Sequence, residues 1–307
     1  MRPPSSATPT PTLGNWLSIG FLGVIWGGTF MVVAIALQGY GPLTVACART
    51  TLGALALLAL QAILRRPWPD FTPRLMKYLL FIGLLNTALP FALLSWGQQY
   101  VPSAFAGISM AALPLFVLPL AHVFSDEALS TRRLIGVLTG FAGALVLIGP
   151  GVLRIGEGWE SLGQLACIAA AGSYAIASIM TRRCPPVDPI ALSALTLIVG
   201  SAVLIPAMLT IEGLPRLAGP TSTVSILFLG LFPTALAALL RVVVIRSAGS
   251  VFMTLVNYQV PLWSVLFGTI VLSETLPLRF FAALGMILLG LAISQWGSLK
   301  RLFDGLK

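Results

Sequence analysis

The chain has 307 residues, of which 57% are hydrophobic and 9% are charged, and its mean hydropathy is +0.97. Soluble domains carry about 25% charged residues, so this composition excludes an ordinary soluble globule. The net charge of +9 would suit a nucleic-acid partner, but the basic residues mostly lie between apolar segments, which leaves little to suggest a nucleic-acid patch.

Ten apolar segments are each long enough to cross a bilayer as a helix, which takes roughly 17–25 residues. Little chain remains between them for a soluble catalytic domain. We therefore predict an all-α integral membrane protein with a disordered tail at 1–15 and a second tail at 298–307. The segments fall at about residues 16–37, 43–64, 76–97, 103–124, 133–150, 162–181, 189–210, 222–245, 250–272 and 278–297.

The distribution of charge between the loops predicts the orientation. If both termini lie on one side of the membrane, that side holds 13 of the 18 Lys and Arg residues. Cytoplasmic loops are the ones that carry excess Lys and Arg, so both termini are predicted to be cytoplasmic. The first segment is too long for a signal-peptide core and is predicted to be retained.

Two residues in the first spans draw attention because they are polar and deep. Arg49 lies about seven residues into the second span, and Asn86 lies within the third. A buried guanidinium is costly and normally faces the helix bundle or water. Arg49 could attract a substrate carboxylate, or it could be a structural arginine that bonds helix carbonyls or extends to the surface.

The fourth span brings Met110, Pro114 and His122, and the stretch DEALSTR (126–132) follows it. His122 is the chain's single histidine. An interfacial or packing role suits its place near the end of the span, and proton coupling is the weaker alternative. Pro114 removes a helix hydrogen bond and predicts a bend.

A shift of 147 residues aligns the chain with itself. LFIGLLNTALP (80–90) then lies over LFLGLFPTALA (227–237), with seven identical positions. The chain is therefore two repeats, 16–150 and 160–297, of five spans each. Because five is odd, the second repeat must be inverted relative to the first, as in many secondary transporters.

The same shift pairs Pro114 with Pro261 and Glu127 with Glu274. The paired prolines are hinge candidates for bent helices. The paired glutamates fall at opposite faces of the membrane, each with an Arg five residues later. An ion pair or a role at a helix start is one interpretation of these glutamates, and gating is the other.

The remaining polar and aromatic residues of the spans suggest an uncharged cavity that accepts apolar or aromatic groups, although helix packing would explain each residue separately. Small residues in the fifth and tenth spans predict close-packed scaffold, and the three cysteines have no metal-ligand spacing. With Arg49, the substrate-binding candidates are Trp26, Phe30, Asn86, Met110, Tyr174, Asn257 and Tyr258. The scaffold glycines are Gly136, Gly140, Gly143, Gly285 and Gly290.

The order of several motifs resembles the EamA-type drug/metabolite transporter superfamily. The motifs are WGGTF (26–30), the Arg of VACARTTLGAL (45–55), Pro114 with Glu127, Pro261 with Glu274, and GVLTGFAGALVLIG (136–149). The resemblance covers about residues 16–297 and is strongest to YddG-type exporters of aromatic and other amino acids. It implies a multi-pass protein of the bacterial inner membrane that exports small metabolites by alternating access and works as a monomer.

The predicted function is export of amino acids, with the lipid bilayer and a small-molecule substrate as partners. No carboxylate falls in mid-membrane, so transport could be facilitative, with a proton-coupled drug/metabolite antiporter as the alternative. A nucleotide-sugar or sugar-phosphate carrier would want more cavity cations than Arg49. No Walker A motif is present, no cofactor is expected, and a membrane-embedded enzyme or a channel is disfavoured.

Overall fold

The structure is a computed structural model that describes residues 11–113, 115–117, 119–120, 131–149, 158–248, 250–253 and 255–304. Within these ranges the regular secondary structure is helical and contains no strand, which confirms the all-α prediction. Seven helices are long and apolar enough to cross a membrane, and shorter apolar helices cover Ser103–Val117 and Leu134–Ile148.

The helices follow the two repeats. The first repeat forms α1 (Leu13–Ala36), α2 (Pro42–Ile63), α3 (Pro73–Gly97), α4 (Ser103–Ala111) and α5 (Thr131–Ile148). The second forms α6 (Trp159–Arg183), α7 (Pro189–Ile211), α8 (Pro220–Ile245), α9 (Val256–Ile270, after the turn Ser250–Met253) and α10 (Leu278–Asp304).

The helix starts keep the 147-residue offset. Proline opens α2 at Pro42 and α7 at Pro189, and it also opens α3 at Pro73 and α8 at Pro220. Proline suits the first helical position because the N–H that it lacks has no partner in the helix there. The repeat seen in the sequence therefore sets where these helices begin.

Helices of one repeat pack against helices of the other. α5 lies along α10, α2 along α7, and α4 along α9, so that helices in equivalent positions meet. In addition, α1 contacts α9, and α3 contacts α6. The protein is thus one interleaved bundle and not two separate half-bundles.

Glycines allow the closest of these contacts, between α5 and α10. A Cβ atom on Gly136 would lie 2.5 Å from the Gly290 carbonyl oxygen, and one on Gly290 would lie 2.5 Å from the Gly136 carbonyl oxygen. This confirms the predicted scaffold face at these two positions. The prediction is wrong for Gly285, which is exposed with nothing within 4 Å of a built Cβ, because it lies on the opposite side of α10.

A second pair of glycine contacts repeats with the same offset. Gly53 on α2 packs against Thr234 on α8, and Gly200 on α7 packs against Thr87 on α3. Each contact joins a glycine of one repeat to a threonine of the other. The two repeats therefore use equivalent surfaces to hold each other.

Candidate functional site

α3 and α8 both change from α-helix to π-helix near their middle, at Leu84–Ala88 and Gly230–Leu236. π-Helical turns release carbonyl groups and are frequent at functional sites. The Ser173 hydroxyl donates to the Leu85 carbonyl at 2.7 Å, and the Trp26 indole N–H donates to the Pro233 carbonyl at 3.2 Å. Trp26 and Ser173 occupy equivalent positions of the repeats, 147 residues apart. Each repeat therefore donates a hydrogen bond to the π-helical turn of the other repeat.

Replacing Ser173 with alanine should leave the Leu85 carbonyl without this donor. Hydrogen bonds between membrane helices contribute about 0.6 kcal/mol on average and at most about 1.7 kcal/mol, and we expect a loss of unfolding free energy within that range, measured by denaturation in micelles. Ser193→Ala is the matched control, because the Ser193 hydroxyl bonds the Pro189 carbonyl of its own helix. Equal losses in both variants would contradict the special role of Ser173.

Arg49 lies inside the bundle on α2, with 6% of its surface exposed. Its guanidinium carbon stands 3.9 Å from the centre of the Phe91 ring on α3. Tyr174 on α6 is close enough to interact with it electrostatically. Three helices from both repeats therefore surround this charge.

The guanidinium is unpaired. Its Nε atom is buried without a hydrogen-bond partner, and no hydrogen bond or ion pair among the described residues involves Arg49. The side chain thus neither extends to the surface nor bonds helix carbonyls. Stacking on an aromatic ring is worth about 0.5–2 kcal/mol, which does not replace a counter-ion for a buried charge.

Tyr174 lies beside Arg49, and three other predicted binding residues belong to the same apolar core as Tyr174. Phe30 is part of the central apolar core, and Trp26, Met110 and Tyr174 pack against that core. Tyr174 also packs against the neighbouring cluster that contains Phe91. Tyr174 therefore joins the apolar centre of the bundle to the surroundings of Arg49.

The other predicted binding residues are placed differently. Asn86 is half-buried in the π-helical turn of α3. Asn257 and Tyr258 are half-buried on α9, and the Tyr258 hydroxyl oxygen is buried without a partner. Tyr258 is not among the described residues that pack against the central core.

Sequence reasoning did not find Phe91 or Glu212. Phe91 was one apolar residue among many, and only the fold brings it onto Arg49. Glu212, just after α7, accepts hydrogen bonds from the backbone N–H groups of Leu43 and Thr44 at 2.8 Å each and from the Thr44 hydroxyl at 2.7 Å. The contact supplies what Gly41 cannot, because Gly41 precedes α2 and has no side chain to accept from the first N–H groups of the helix.

Glu274 makes an equivalent contact at α4. It accepts from the N–H groups of Ser103 at 2.7 Å and of Ala104 at 3.1 Å. Among the described residues it forms no ion pair with Arg279, the partner that one interpretation gave it. Its position is at a helix start, but that helix belongs to the other repeat.

Of the remaining hinge and coupling candidates, Pro261 is buried within α9. Pro114, His122 and Glu127 lie outside the described residues.

Two surface cavities lie away from the predicted binding residues. One has a volume of about 820 Å³ and is lined by Gly39, Tyr40, Gly41, Thr44, Glu212, Leu214, Pro215 and Arg216. The other, of about 410 Å³, is an apolar groove between α3 and α7 that is lined by Phe71, Met76, Lys77, Leu79, Leu80, Leu195, Ile198 and Val199. The first borders the Glu212 contact.

Comparison with known proteins assigns the chain to a family. The EamA-like transporter family matches residues 12–149 and again 161–295, once for each repeat. The uncharacterized inner membrane transporter YedA of Escherichia coli (strain K12) is 29% identical over 89% of this chain and 88% of its own. An uncharacterized transporter of Archaeoglobus fulgidus is 27% identical over 91% of this chain and 98% of its own.

Two further proteins are similar to this chain, one in sequence and one in fold. The probable terminal-alkyne amino-acid exporter of Streptantibioticus cattleyicolor is 25% identical over 75% of this chain and 78% of its own. A solved crystal structure matches with a TM-score of 0.63 at 18% identity, covering 93% of this chain and 98% of the other. With the family matched over both repeats, the chain belongs to the EamA-like transporter family and is a multi-pass protein of the cell's inner membrane.

Proposed function

We propose that this protein exports amino acids, aromatic and other apolar ones in particular, by alternating access. The proposal includes ten membrane spans in two inverted repeats with both termini in the cytoplasm. In that orientation the starts of α2 and α4 face outward. The cargo crosses through the centre of the bundle, between α2, α3 and α6.

The observation that carries the proposal is the buried, unpaired guanidinium of Arg49. Its planar fork is suited to bind a carboxylate with two parallel hydrogen bonds. Phe91 and Tyr174 flank it, and Tyr174 also packs against the apolar core that contains Phe30, with Trp26 and Met110 packed against the same core. An amino acid with its carboxylate on Arg49 would place its side chain against that apolar surface.

The site is asymmetric although the two repeats are alike. The positions equivalent to Arg49, Phe91 and Tyr174 are Thr196, Ala238 and Gly27, which lie 147 residues away along the chain. The Arg49 side of the bundle therefore carries a cation and two rings where the equivalent positions carry small residues. This favours one cargo site on the Arg49 side of the bundle over two equivalent sites.

Movement would come from rocking of the two interleaved repeats. The π-helical turns of α3 and α8 are points where the regular hydrogen bonding of each helix is already interrupted. Pro261 in α9 and its repeat partner Pro114 are the proposed hinges, since proline lacks a helix hydrogen bond. Asn86, within the π-turn of α3, would orient the polar end of the cargo.

Other functions fit less well. A nucleotide sugar or sugar phosphate carries several negative charges, whereas Arg49 is the single buried Lys or Arg among the residues that the structure describes. The same described part contains no cluster of His, Cys, Asp or Glu side chains that could hold a metal ion. Membership of the EamA-like transporter family supports a carrier over an enzyme.

Uptake of labelled amino acids into liposomes that contain the purified protein, with no ion gradient imposed, tests this function. We expect saturable uptake of phenylalanine or tryptophan that ends at equal concentrations inside and outside. Counterflow driven by unlabelled amino acid inside would distinguish a carrier from a channel. Absence of uptake by folded protein, for every amino acid tried, would contradict the proposal.

A further inference from the structure

Two carboxylates cross-link the repeats at one end of the bundle. Glu212 follows α7 and Glu274 follows α9, and both belong to the second repeat. Glu212 binds the start of α2 and Glu274 binds the start of α4, and both helices belong to the first repeat. Because α1 to α4 are joined by short connections, the starts of α2 and α4 lie at the same end of the bundle.

These contacts are strong and specific. A helix start presents free N–H groups and the positive end of the helix dipole. Each carboxylate accepts from two successive N–H groups, and all five hydrogen bonds measure 2.7–3.1 Å. Charge-assisted bonds of this kind are about twice as strong as neutral ones.

Close packing surrounds both carboxylates. A Cβ atom on Gly41 would collide with the Glu212 carboxylate, and one on Gly268 would collide with that of Glu274. Each carboxylate therefore fits only because a glycine lies beside it. The packing at this end of the bundle therefore leaves space for both carboxylates.

The opposite end of the bundle is held differently. Asp188, at the position equivalent to Gly41, caps its own helix α7 by accepting from Ile190 and Ala191. Its link to the other repeat is an ion pair with Arg66 at 3.9 Å, and the Arg66 side chain is 43% exposed. Exposed ion pairs contribute little to stability. The Asn15 amide of α1 also donates to the Ser247 hydroxyl at that end, but among the described residues carboxylates bind helix starts of the other repeat only at the end with Glu212 and Glu274.

We infer that Glu212 and Glu274 form the outer gate of the transporter, and that each must release a helix start of the first repeat before the outer side can open. The inference rests on the proposed carrier function and orientation. Glu212 holds the start of α2 against the end of α7, and Glu274 holds the start of α4 against the end of α9. The pair that closes the gate is thus Glu212 with Glu274, and both carboxylates come from the second repeat.

Cys47 provides a native reporter for this gate. It lies on α2, one turn after Leu43 and Thr44, and it is buried in a cluster with Leu204 and Met208 of α7. If α2 and α7 separate at the outer end, the Cys47 thiol becomes accessible. The reporter protein carries Cys167→Ala and Cys184→Ser, so that Cys47 is its single cysteine.

The experiment measures how fast a membrane-impermeant maleimide modifies Cys47 in intact cells. Glu212→Gln keeps the shape of the side chain and removes its charge, and Gly41→Ala displaces an unchanged Glu212. Both should raise the modification rate by about tenfold or more, as expected when charge-assisted hydrogen bonds are lost. Asp188→Asn, which changes the carboxylate at the other end, should leave the rate as in the parent protein.

Separate cysteines report orientation and unfolding. Leu214→Cys, in the exposed loop after α7, must react from outside in the parent protein if the proposed orientation is right. Ser294→Cys, buried in the α5–α10 contact, must stay unreactive toward a membrane-permeant maleimide in the gate variants. Unchanged Cys47 rates in both gate variants, or equal gains at residue 294, would overturn the gate, whereas failure of Leu214→Cys to react would overturn the orientation instead.

Discussion

Arg49→Gln should strongly reduce amino-acid transport without destabilising the protein. The variant removes a guanidinium that has no hydrogen-bond or ion-pair partner among the described residues. A charge-assisted hydrogen bond to cargo is worth about 1.5–3 kcal/mol, so transport should fall by roughly 10- to 100-fold. A buried charge without a partner costs stability, so the thermal midpoint should stay unchanged or rise.

Two further variants test whether transport depends on the charge or on the planar shape of the Arg49 side chain, and whether the effect is specific to this arginine. Arg49→Lys keeps the positive charge but lacks the planar fork, so we expect transport between that of the parent and that of Arg49→Gln. Arg183→Gln is the matched control, because Arg183 lies at the end of α6 with an exposed side chain. It should transport as the parent does.

The cargo can also be varied. Phenethylamine has the ring and the ammonium group of phenylalanine but no carboxylate, so its binding cannot depend on a carboxylate–guanidinium contact. We expect Arg49→Gln to weaken binding of phenylalanine and to leave that of phenethylamine unchanged. Equal loss for both compounds, or a thermal midpoint that falls together with transport, would indicate that Arg49 is a structural residue.

Most of the fold could be predicted from the sequence because it depends on local patterns and on one long repeat. Apolar segments of membrane length mark the helices, and prolines mark the starts of α2, α3, α7 and α8. The 147-residue offset then relates one repeat to the other. Glycine spacing on α5 and α10 also indicated close-packed faces, although it did not distinguish Gly290 from Gly285.

The surroundings of the polar residues could not be predicted in the same way. Arg49 was found because a charge within an apolar segment is unusual, whereas its neighbours Phe91 and Tyr174 come from helices 42 and 125 residues further along the chain. No local pattern specifies such a meeting. The partners of Glu274 are backbone N–H groups about 170 residues away. Every residue except proline has such a group, so the sequence does not show which ones Glu274 will bind.

The 147-residue offset predicts contacts correctly where the two repeats are alike, and it fails where their residues differ. It correctly relates Trp26 to Ser173, which bond equivalent π-helical turns with different donor groups. It does not predict the contact of Glu212 with the start of α2, since the position 147 residues before Glu212 is Arg65. The asymmetry has a local cause, because Asp188 caps α7 by itself and Gly41 cannot cap α2.

Gly290→Ala should be strongly destabilising although it adds only one methyl group. The new Cβ would lie 2.5 Å from the Gly136 carbonyl oxygen, 2.6 Å from the Gly140 nitrogen and 2.9 Å from the Gly140 Cα. All three atoms belong to the backbone of α5, which cannot rotate away as a side chain can. α5 and α10 must therefore separate along their whole contact, and overpacking of this kind costs about 1–3 kcal/mol or more.

Gly285→Ala is the control on the same helix, because nothing lies within 4 Å of a Cβ at that position. Alanine favours helix over glycine by about 1 kcal/mol, so Gly285→Ala should keep or raise the thermal midpoint in detergent while Gly290→Ala lowers it. The two variants have the same chemistry and differ only in what the methyl group meets. If both lower the midpoint equally, glycine at 290 is needed for a reason other than close approach, and the contact between α5 and α10 is not the rigid scaffold against which the other helices move.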